Sequence, residues 1–510
     1  MSTGSAEKTV PPGPTQTRES EGIAGDFFAL LSGNIGRILV SILTVVLLAR
    51  LFVPSELAKY SLFQMFNDLA VTFAGTWTSA AVVRFGREEL LQHASLRRTF
   101  WSRGLIVVLS AVVLLTVATF FRTDFQHYTS LPAWVFWFLL AVVVTNVTIE
   151  YANYVFQATG AFRSSAGISF FQKFAFLLGA GLVFLGVFHA AVETILLFVG
   201  ISALVTVGVS LPLVRRELFL PPIVDRVQIG RILKFSYPAL ISSGSLYVIN
   251  WVDIVVIKAV VGTDGVGIYH ISYTGFLLLC SMGITMNTLF LPKMVSLRVQ
   301  EKESGIRLYL EDGIPLILIL WGAVLSVGAL FVPWAVPAIL GKAYAFSAQP
   351  LVVLMLASFF QFTSMALASI ITAYDLMLPI HGVNIATAAI NVGLDLLLVP
   401  ALGIIGAAWS TAIAFMFNAA GCLYLATLPL HGRTAKHAFA ATAIIPIVVL
   451  ALTRTPVPAA ITLVFSLGCA VIATRRFRFV SPGLLEALGA MNLPSSIRTT
   501  LERILHGLSP

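Results

Sequence analysis

Long apolar runs alternate with short polar breaks along this chain. Fourteen runs stand out, at roughly 28–50, 57–82, 102–121, 133–157, 166–188, 192–214, 236–260, 265–290, 312–333, 348–373, 378–399, 404–428, 436–453 and 457–474. Each is long enough to cross a hydrocarbon core, which takes about 20 helical residues. None has the apolar–polar alternation of a barrel strand, and in lipid every backbone amide must find its partner within the protein. Each run therefore predicts a transmembrane α-helix. Residues 1–26 are rich in Ser, Thr, Gly, Pro and Glu and predict a disordered tail without the features of a secretory signal. At the other end Ile497, Leu501, Ile504 and Leu508 recur at helical spacing beside Arg498 and Arg503, as in a helix lying on the inner membrane surface.

The polar breaks carry an internal echo. Pro54-Ser-Glu-Leu-Ala-Lys-Tyr60 follows the first run, and Gly262-Thr-Asp-Gly-Val-Gly-Ile-Tyr269 follows the seventh. Each is a short acidic turn closing on a Tyr that opens the next helix, at an offset of 209 residues. Gln157–Arg163 and Ile371–Met377 echo one another likewise. Six helices per repeat is an even number, so the halves run parallel, with a cavity between them. The expected fold is all-α and polytopic, with about 14 transmembrane helices: two parallel six-helix bundles in a V plus two extra C-terminal helices. The expected segments are a 1–26 cytoplasmic tail, a 27–215 bundle, a basic 216–235 linker and a 236–430 bundle. Helices 13 and 14 follow at 431–475, then a cytoplasmic amphipathic tail at 476–510.

Composition agrees with a membrane protein: 58% of the 510 residues are hydrophobic and 11% charged, against roughly a quarter charged in soluble domains. The net charge of +9 reads as topology rather than nucleic-acid binding. Of the 32 Lys and Arg, 24 lie on the side of the N-terminal tail, six on the opposite side and two, Arg37 and Lys173, within runs. The positive-inside rule then places both termini in the cytoplasm. Arg97, Arg98, Arg103, Arg215 and Arg216 would sit near anionic headgroups there. Cys280, Cys422 and Cys469 are too scattered for a disulfide framework or a metal site. No phosphate-binding Gly-x4-Gly-Lys-Ser/Thr loop, His-Glu-x-x-His or Gly-x-Ser-x-Gly sequence is present, so the chain is not expected to be an enzyme or to need a cofactor.

Polar residues within the runs are costly and mark candidate function. Arg37 shares a helix face with Asn34, Ser41 and Thr44, and its guanidinium fork suits a phosphate; a structural pair with Asp68 is the alternative. Asp253, with Asn250 and Tyr247 on its face, suits a cation, a proton, a lock against Arg37, or a plain interhelical bond. Gln64, Asn67 and Asp68 lie on the second run, His270 and Tyr273 on the eighth. Asn384, Thr387, Asn391 and Asp395 form a stripe on the eleventh that suits sugar hydroxyls or helix–helix adhesion. Glu150 and Lys173 are expected to pair inside the first bundle. Trp134, Trp137, Trp321 and Trp334 read as interfacial belts, and Lys258 as an interface anchor.

Asn250-Trp-Val-Asp253-Ile-Val-Val-Ile-Lys258 with Gly265-Val-Gly-Ile-Tyr269 resembles spans seven and eight of Wzx-type polysaccharide flippases. Gly33-Asn34-Ile-Gly-Arg37 is similar to that family's first span. Asn384 to Asn391 with Leu398-Val-Pro-Ala-Leu-Gly-Ile-Ile-Gly-Ala-Ala408 is similar to spans eleven and twelve. The resemblance runs over roughly 25–430 and implies the multidrug/oligosaccharidyl-lipid/polysaccharide exporter (MOP) superfamily. It implies a bacterial inner-membrane protein that flips undecaprenyl-pyrophosphate-linked repeat units to the periplasmic leaflet by alternating access. O-antigen, capsule and exopolysaccharide are equally open as products. The alternatives are a multidrug/cation antiporter, a peptidoglycan lipid-precursor flippase and a membrane scaffold. The cavity set expected on this reading is Arg37, Asn34, Asp68, Asn250, Asp253, His270, Tyr273, Asn391 and Asp395. Coupling to H+ or Na+ is open, as are partnerships with a polymerase and a chain-length regulator; the expected partners are the polyprenyl-pyrophosphate-linked glycan and membrane lipids, with no nucleic acid.

Overall fold

The computed structural model describes residues 36–214 and 216–430. The expected helices 13 and 14, both terminal tails, Asn34 and Cys469 lie outside the described residues. Within them the apolar runs form twelve long helices: α1 (36–51), α2 (Pro54–Ala74), α3 (Arg97–Phe120), α4 (Ala133–Ala158), α5 (Phe162–Phe184) and α6 (Val192–Ser210), then α7 (Arg226–Val260), α8 (Thr263–Val299), α9 (Ile314–Leu340), α10 (Ala348–Ala373), α11 (Met377–Leu402) and α12 (Ile404–Thr427). Ten of the helical segments meet the length and hydropathy needed to cross a membrane. The second is the exception among the complete ones, because Glu56, Lys59, Gln64, Asn67 and Asp68 dilute its apolar face.

Helices α1–α6 and α7–α12 form the two expected bundles. In the first, α4 packs on α5 and α6, and α2 on α3 and α4; in the second, α8 and α12 flank α10, and α11 lies between α7 and α12. The bundles meet where α2 packs against α7 and α8. The turns read from the sequence are present at Gly262 (φ 98°) between α7 and α8 and at Gly160 (φ 79°) between α4 and α5, a backbone region that glycine enters without strain; a further one falls at Gly403 (φ 62°) between α11 and α12. Asp225 starts α7 by accepting from the amides of Val227 (2.8 Å) and Gln228 (3.5 Å), which are otherwise unpaired at a helix N-terminus.

The second run does not end at 82. After α2 breaks at Gly75, a 3-10 turn at Thr76–Thr78, a π-turn at Val82–Gly86 and a helix at Arg87–His93 carry it on toward α3. Arg103 fills this break and is fully buried, so it does not sit among headgroups. Its Nε donates to Thr78 Oγ1 (2.9 Å), and its Nη2 donates to Ser79 Oγ (3.0 Å) and to the Gly75 carbonyl (3.2 Å), which also accepts from the Thr78 amide (3.0 Å) and hydroxyl (2.8 Å). Its guanidinium also lies 4.5 Å from the centre of the Tyr151 ring. Glu150 joins the same knot by accepting from Ser79 Oγ at 2.8 Å, so it is tied to the α2 break and not to Lys173. Trp134, Trp137 and Trp334 are exposed at helix ends as interfacial residues should be. Trp321 instead stacks on Phe362 (5.2 Å) inside the second bundle.

Gly267 sits where α8 crosses the start of α2, and a Cβ added there would fall 1.8 Å from the Pro54 carbonyl oxygen. Replacement by leucine must push the bundles apart, at a cost of ~1–3 kcal/mol for an overpacked site. Gly267→Leu is expected to lower the melting temperature of the purified protein by several degrees. Gly208→Ala, where a Cβ meets open space, is expected to leave it unchanged.

Candidate functional site

Two polar clusters emerge, and they are separate. The first lies between the bundles. Asp68 is exposed, although its helix α2 is enclosed by α3 and α4 on one side and α7 and α8 on the other; its carboxyl therefore faces an internal space. Lys173 of α5 is likewise exposed and lies within electrostatic reach of both Asp68 and Arg37. Close packing brings α1 to α5 here, with the Phe170 ring 3.1 Å from the Cβ position of Gly36, the residue before Arg37. An amide chain crosses the first bundle into this space: Gln172 donates to Asn146 (2.9 Å), Asn146 to Asn67 (3.0 Å), and Asn67 to Asp68 (3.2 Å). From the second bundle, Tyr247 donates to the Met65 carbonyl (3.1 Å), and the His270 ring stands edge-on to Tyr60 at 6.0 Å. Thus Arg37, Asp68 and Lys173 share one space, with two cations against one carboxylate, while His270 is placed only by its contact with Tyr60.

The second cluster is inside the second bundle. Asp253, Asn391 and Asp395 are fully buried and Tyr273 nearly so, which removes them from the wall of the space between the bundles where the sequence reading put them. Asp253 makes no pair with Arg37. Its Oδ2 accepts from the hydroxyls of Tyr269 and of Thr411 (2.7 Å), and its Oδ1 from the Asn391 amide (3.3 Å). Tyr273 donates to Asn250 Oδ1 (3.1 Å), so Asn250 serves the α7–α8 contact. Asp395 comes from the same face of α11 as Asn391. Asp395 lies within hydrogen-bonding reach of Asp253 and Ser410, and unless a proton is shared between the two carboxyls its oxygens, Asn391 Oδ1 and Ser410 Oγ are buried without a partner. Four helices thus converge an all-oxygen set with two carboxylates, the donor chemistry of a hard cation or a shared proton. The polar stripe of α11 is divided between roles, for Asn384 and Thr387 both accept from Asn418 of α12, at 3.1 and 3.0 Å.

Thr411 and Tyr269 were not singled out as ligands from sequence, and Lys173 was assigned a different partner. Thr411 sits in an Ala-rich stretch where a lone hydroxyl is unremarkable. Only the close crossing of α11 and α12 at Gly406, whose Cβ position lies 2.2 Å from the Leu398 carbonyl oxygen, brings it to Asp253.

Both ends of the inter-bundle seam are closed. On the side bearing the α1–α2 turn, Arg50 Nε donates to the Ile339 carbonyl (2.6 Å) at the end of α9, and Tyr344 donates to the Phe52 carbonyl (3.0 Å). On the basic side, Arg231 pairs with Glu88 (3.2 Å), and Phe85 meets Phe235 at 5.4 Å with Arg84 over the Phe235 ring.

Solved structures share this fold, and three illustrate it. The lipid II flippase MurJ in an inward closed conformation has a TM-score of 0.68 at 14% identity, over 88% of this chain and 98% of that one. A multidrug resistance MATE family transporter of the MOP superfamily, inward-facing, has 0.58 at 17% identity, over 84% and 100%. A MOP superfamily transporter from Pyrococcus furiosus has 0.56 at 14% identity, over 80% and 96%. No curated protein matches the chain in sequence. Residues 23–298, just over half of the sequence, match the family described as "Polysaccharide biosynthesis protein". With twelve described helices in the arrangement of the MOP-superfamily transporters, this multi-pass membrane protein belongs to the polysaccharide biosynthesis protein family.

Proposed function

We propose that the protein flips a polyprenyl-pyrophosphate-linked oligosaccharide repeat unit across a bacterial inner membrane, from the cytoplasmic to the periplasmic leaflet. The basic side, with the Glu88–Arg231 contact, would be cytoplasmic. The observation that carries this reading is the net-cationic space shared by Arg37, Lys173 and Asp68 between two bundles. A drug-cation exporter gains nothing from two cations in its path, whereas a pyrophosphate does. The amide chain of Gln172, Asn146 and Asn67 ends on Asp68 and fixes that carboxylate at the wall of the space, and alternating access would come from rocking one bundle against the other.

The cluster around Asp253 and Asp395 supports coupling to a cation gradient, because two buried carboxylates without a cationic side chain beside them call for a proton or a metal ion. Sodium matches the unpartnered oxygens of Asp395, Asn391 and Ser410. The structural neighbour named as a lipid II flippase keeps a peptidoglycan-precursor substrate as the second reading.

The reading is tested in a deletion strain by mass spectrometry of its lipids. Undecaprenyl-linked repeat units are expected to accumulate on the cytoplasmic face while surface polymer disappears. Intact polymer with altered drug tolerance would move the protein to the antiporters, and loss of viability with accumulated lipid II would make peptidoglycan precursor the substrate. In the complemented strain, Arg37→Ala is expected to cut surface glycan roughly 10–100-fold at unchanged membrane protein level, the loss of ~1.5–3 kcal/mol of charge-assisted bonding in the crossing state. Normal glycan would remove Arg37 from the mechanism. For the ion site, replacing potassium by sodium at constant ionic strength is expected to raise the melting temperature of purified protein, since binding at a hundredfold excess over Kd adds about 2.7 kcal/mol to folding. Asp253→Asn and Thr411→Val are expected to abolish that shift. A shift absent from wild type but replaced by a pH-dependent one would assign the site to a proton.

A further inference from the structure

Beside the polar space lies a second cavity of opposite character, with a volume of about 910 Å³. Phe66 and Ala70 of α2, Leu115 and Ala118 of α3, Leu140 of α4 and Val255 of α7 contribute to a lining that is almost wholly apolar. Val117 of α3, Phe121 just past its end and Val255 of α7 line it and are exposed as well, so its mouth opens between α3 and α7. That mouth is in the outer half of the membrane on the proposed topology, beneath the short helix Arg122–Thr129. The outer face of α3 is lipid-like along its length, with Val108, Val112, Val113 and Val117 exposed.

A void of this size does not remain empty next to a bilayer. Its walls would forfeit dispersion contacts on one side, and water would find almost no polar partners inside. A hydrocarbon chain satisfies the walls and leaves the bilayer at little cost, because lipid tails are as apolar as the lining. One polar group points to what the chain carries. The Tyr128 hydroxyl is buried without a hydrogen-bond partner in a residue that lines the cavity, and the Lys258 ammonium, which donates to Thr263 Oγ1 (3.2 Å) and has further protons to give, stands 5.1 Å from the centre of that ring, one turn beyond Val255 on α7. Unpartnered buried hydroxyls are rare, and a donor beside a cation fits a phosphate oxygen. Asp124 is also among the lining residues and His127 is exposed next to it, so the acceptor must approach from the Tyr128–Lys258 side.

We propose that this cavity is a lipid site: it takes the hydrocarbon chain of an anionic lipid, with the phosphate of the head held by Tyr128 and Lys258. Its inner end meets the polar space at Tyr247, which lines the cavity and lies within electrostatic reach of Asp68. The chain of the carried lipid and an acyl chain of a bilayer phospholipid both satisfy this chemistry. Only the choice of the carried lipid rests on the flippase reading.

The test is photolabelling of the full-length protein in nanodiscs with a benzophenone-bearing geranylgeranyl phosphate. Label is expected in peptides spanning 114–121 and 136–143. Ala118→Trp, which fills the cavity, is expected to cut the yield severalfold, while Val113→Trp on the exposed face of α3 leaves it unchanged. Tyr128→Phe and Lys258→Gln are expected to weaken labelling by the phosphate probe but not by the matching alcohol. If Ala118→Trp fails to fold, Ala118→Leu gives the same ordering with a smaller decrease. Competition separates the sources: protection by undecaprenyl phosphate alone assigns the chain to the carried lipid, and protection by phosphatidylglycerol alone assigns it to the bilayer and leaves the flippase reading untouched. Label outside these peptides, or a yield that a folded Ala118→Trp does not change, would overturn the proposal.

Discussion

A buried charge in a low-dielectric interior must be met by partners, and each bundle is arranged around one. In the second bundle Asp253 draws donors from three other helices, through Tyr269, Asn391 and Thr411, so α7, α8, α11 and α12 are held in one register. In the first, Arg103 holds the broken end of α2 to α3 and, through Ser79, to Glu150 on α4. Removing one member of such a knot leaves the other charge buried and unpaired, which costs far more than the bond itself is worth. The two knots make each bundle a stiff unit. On the proposed alternating access, the seam between them is the plane along which they would part.

That seam is not uniform. The Arg50 and Tyr344 bonds end on backbone carbonyls, and Gly267 allows α8 to touch the Pro54 carbonyl, so this end closes by fitting main chain against side chain. The other end closes by an exposed ion pair, edge-to-face rings at Phe85 and Phe235, and a buried bond from Gln228 to Thr99 Oγ1 (3.0 Å). Exposed pairs are worth about 0–1 kcal/mol each. The buried Gln228 bond and the apolar cluster of Trp77, Phe85 and Ile232 therefore carry most of the closure at this end.

Between the bundles, polar and apolar volumes adjoin without mixing. Arg37, Asp68 and Lys173 line one, and the α2–α3–α4–α7 cavity forms the other, with Tyr247 at the boundary. On the proposed function, an amphiphile would use this division, its polar head crossing in the cationic space and its chain staying in hydrocarbon. The buried oxygens around Asp395 lie apart from that space, inside the second bundle.

The twelve described spans, the parallel halves and the turn at Gly262 are readable from the chain, because in lipid each span must satisfy its own backbone and hydropathy marks it directly. The residues bearing charge within those spans were readable for the same reason. Their partners were not. Asp253 and Arg37 looked alike as lone charges on apolar helices, yet one is sealed inside a bundle and the other faces the seam, a difference set by how α7, α11 and α12 cross. Arg103 read as one more basic residue of a cytoplasmic loop until the break at Gly75 gave it carbonyl and hydroxyl partners in the interior. Periodicity tells which residues share a face of a helix. Which neighbour that face meets depends on close crossings such as Gly267 on Pro54 and Gly406 on Leu398, and these exist only once the helices are packed.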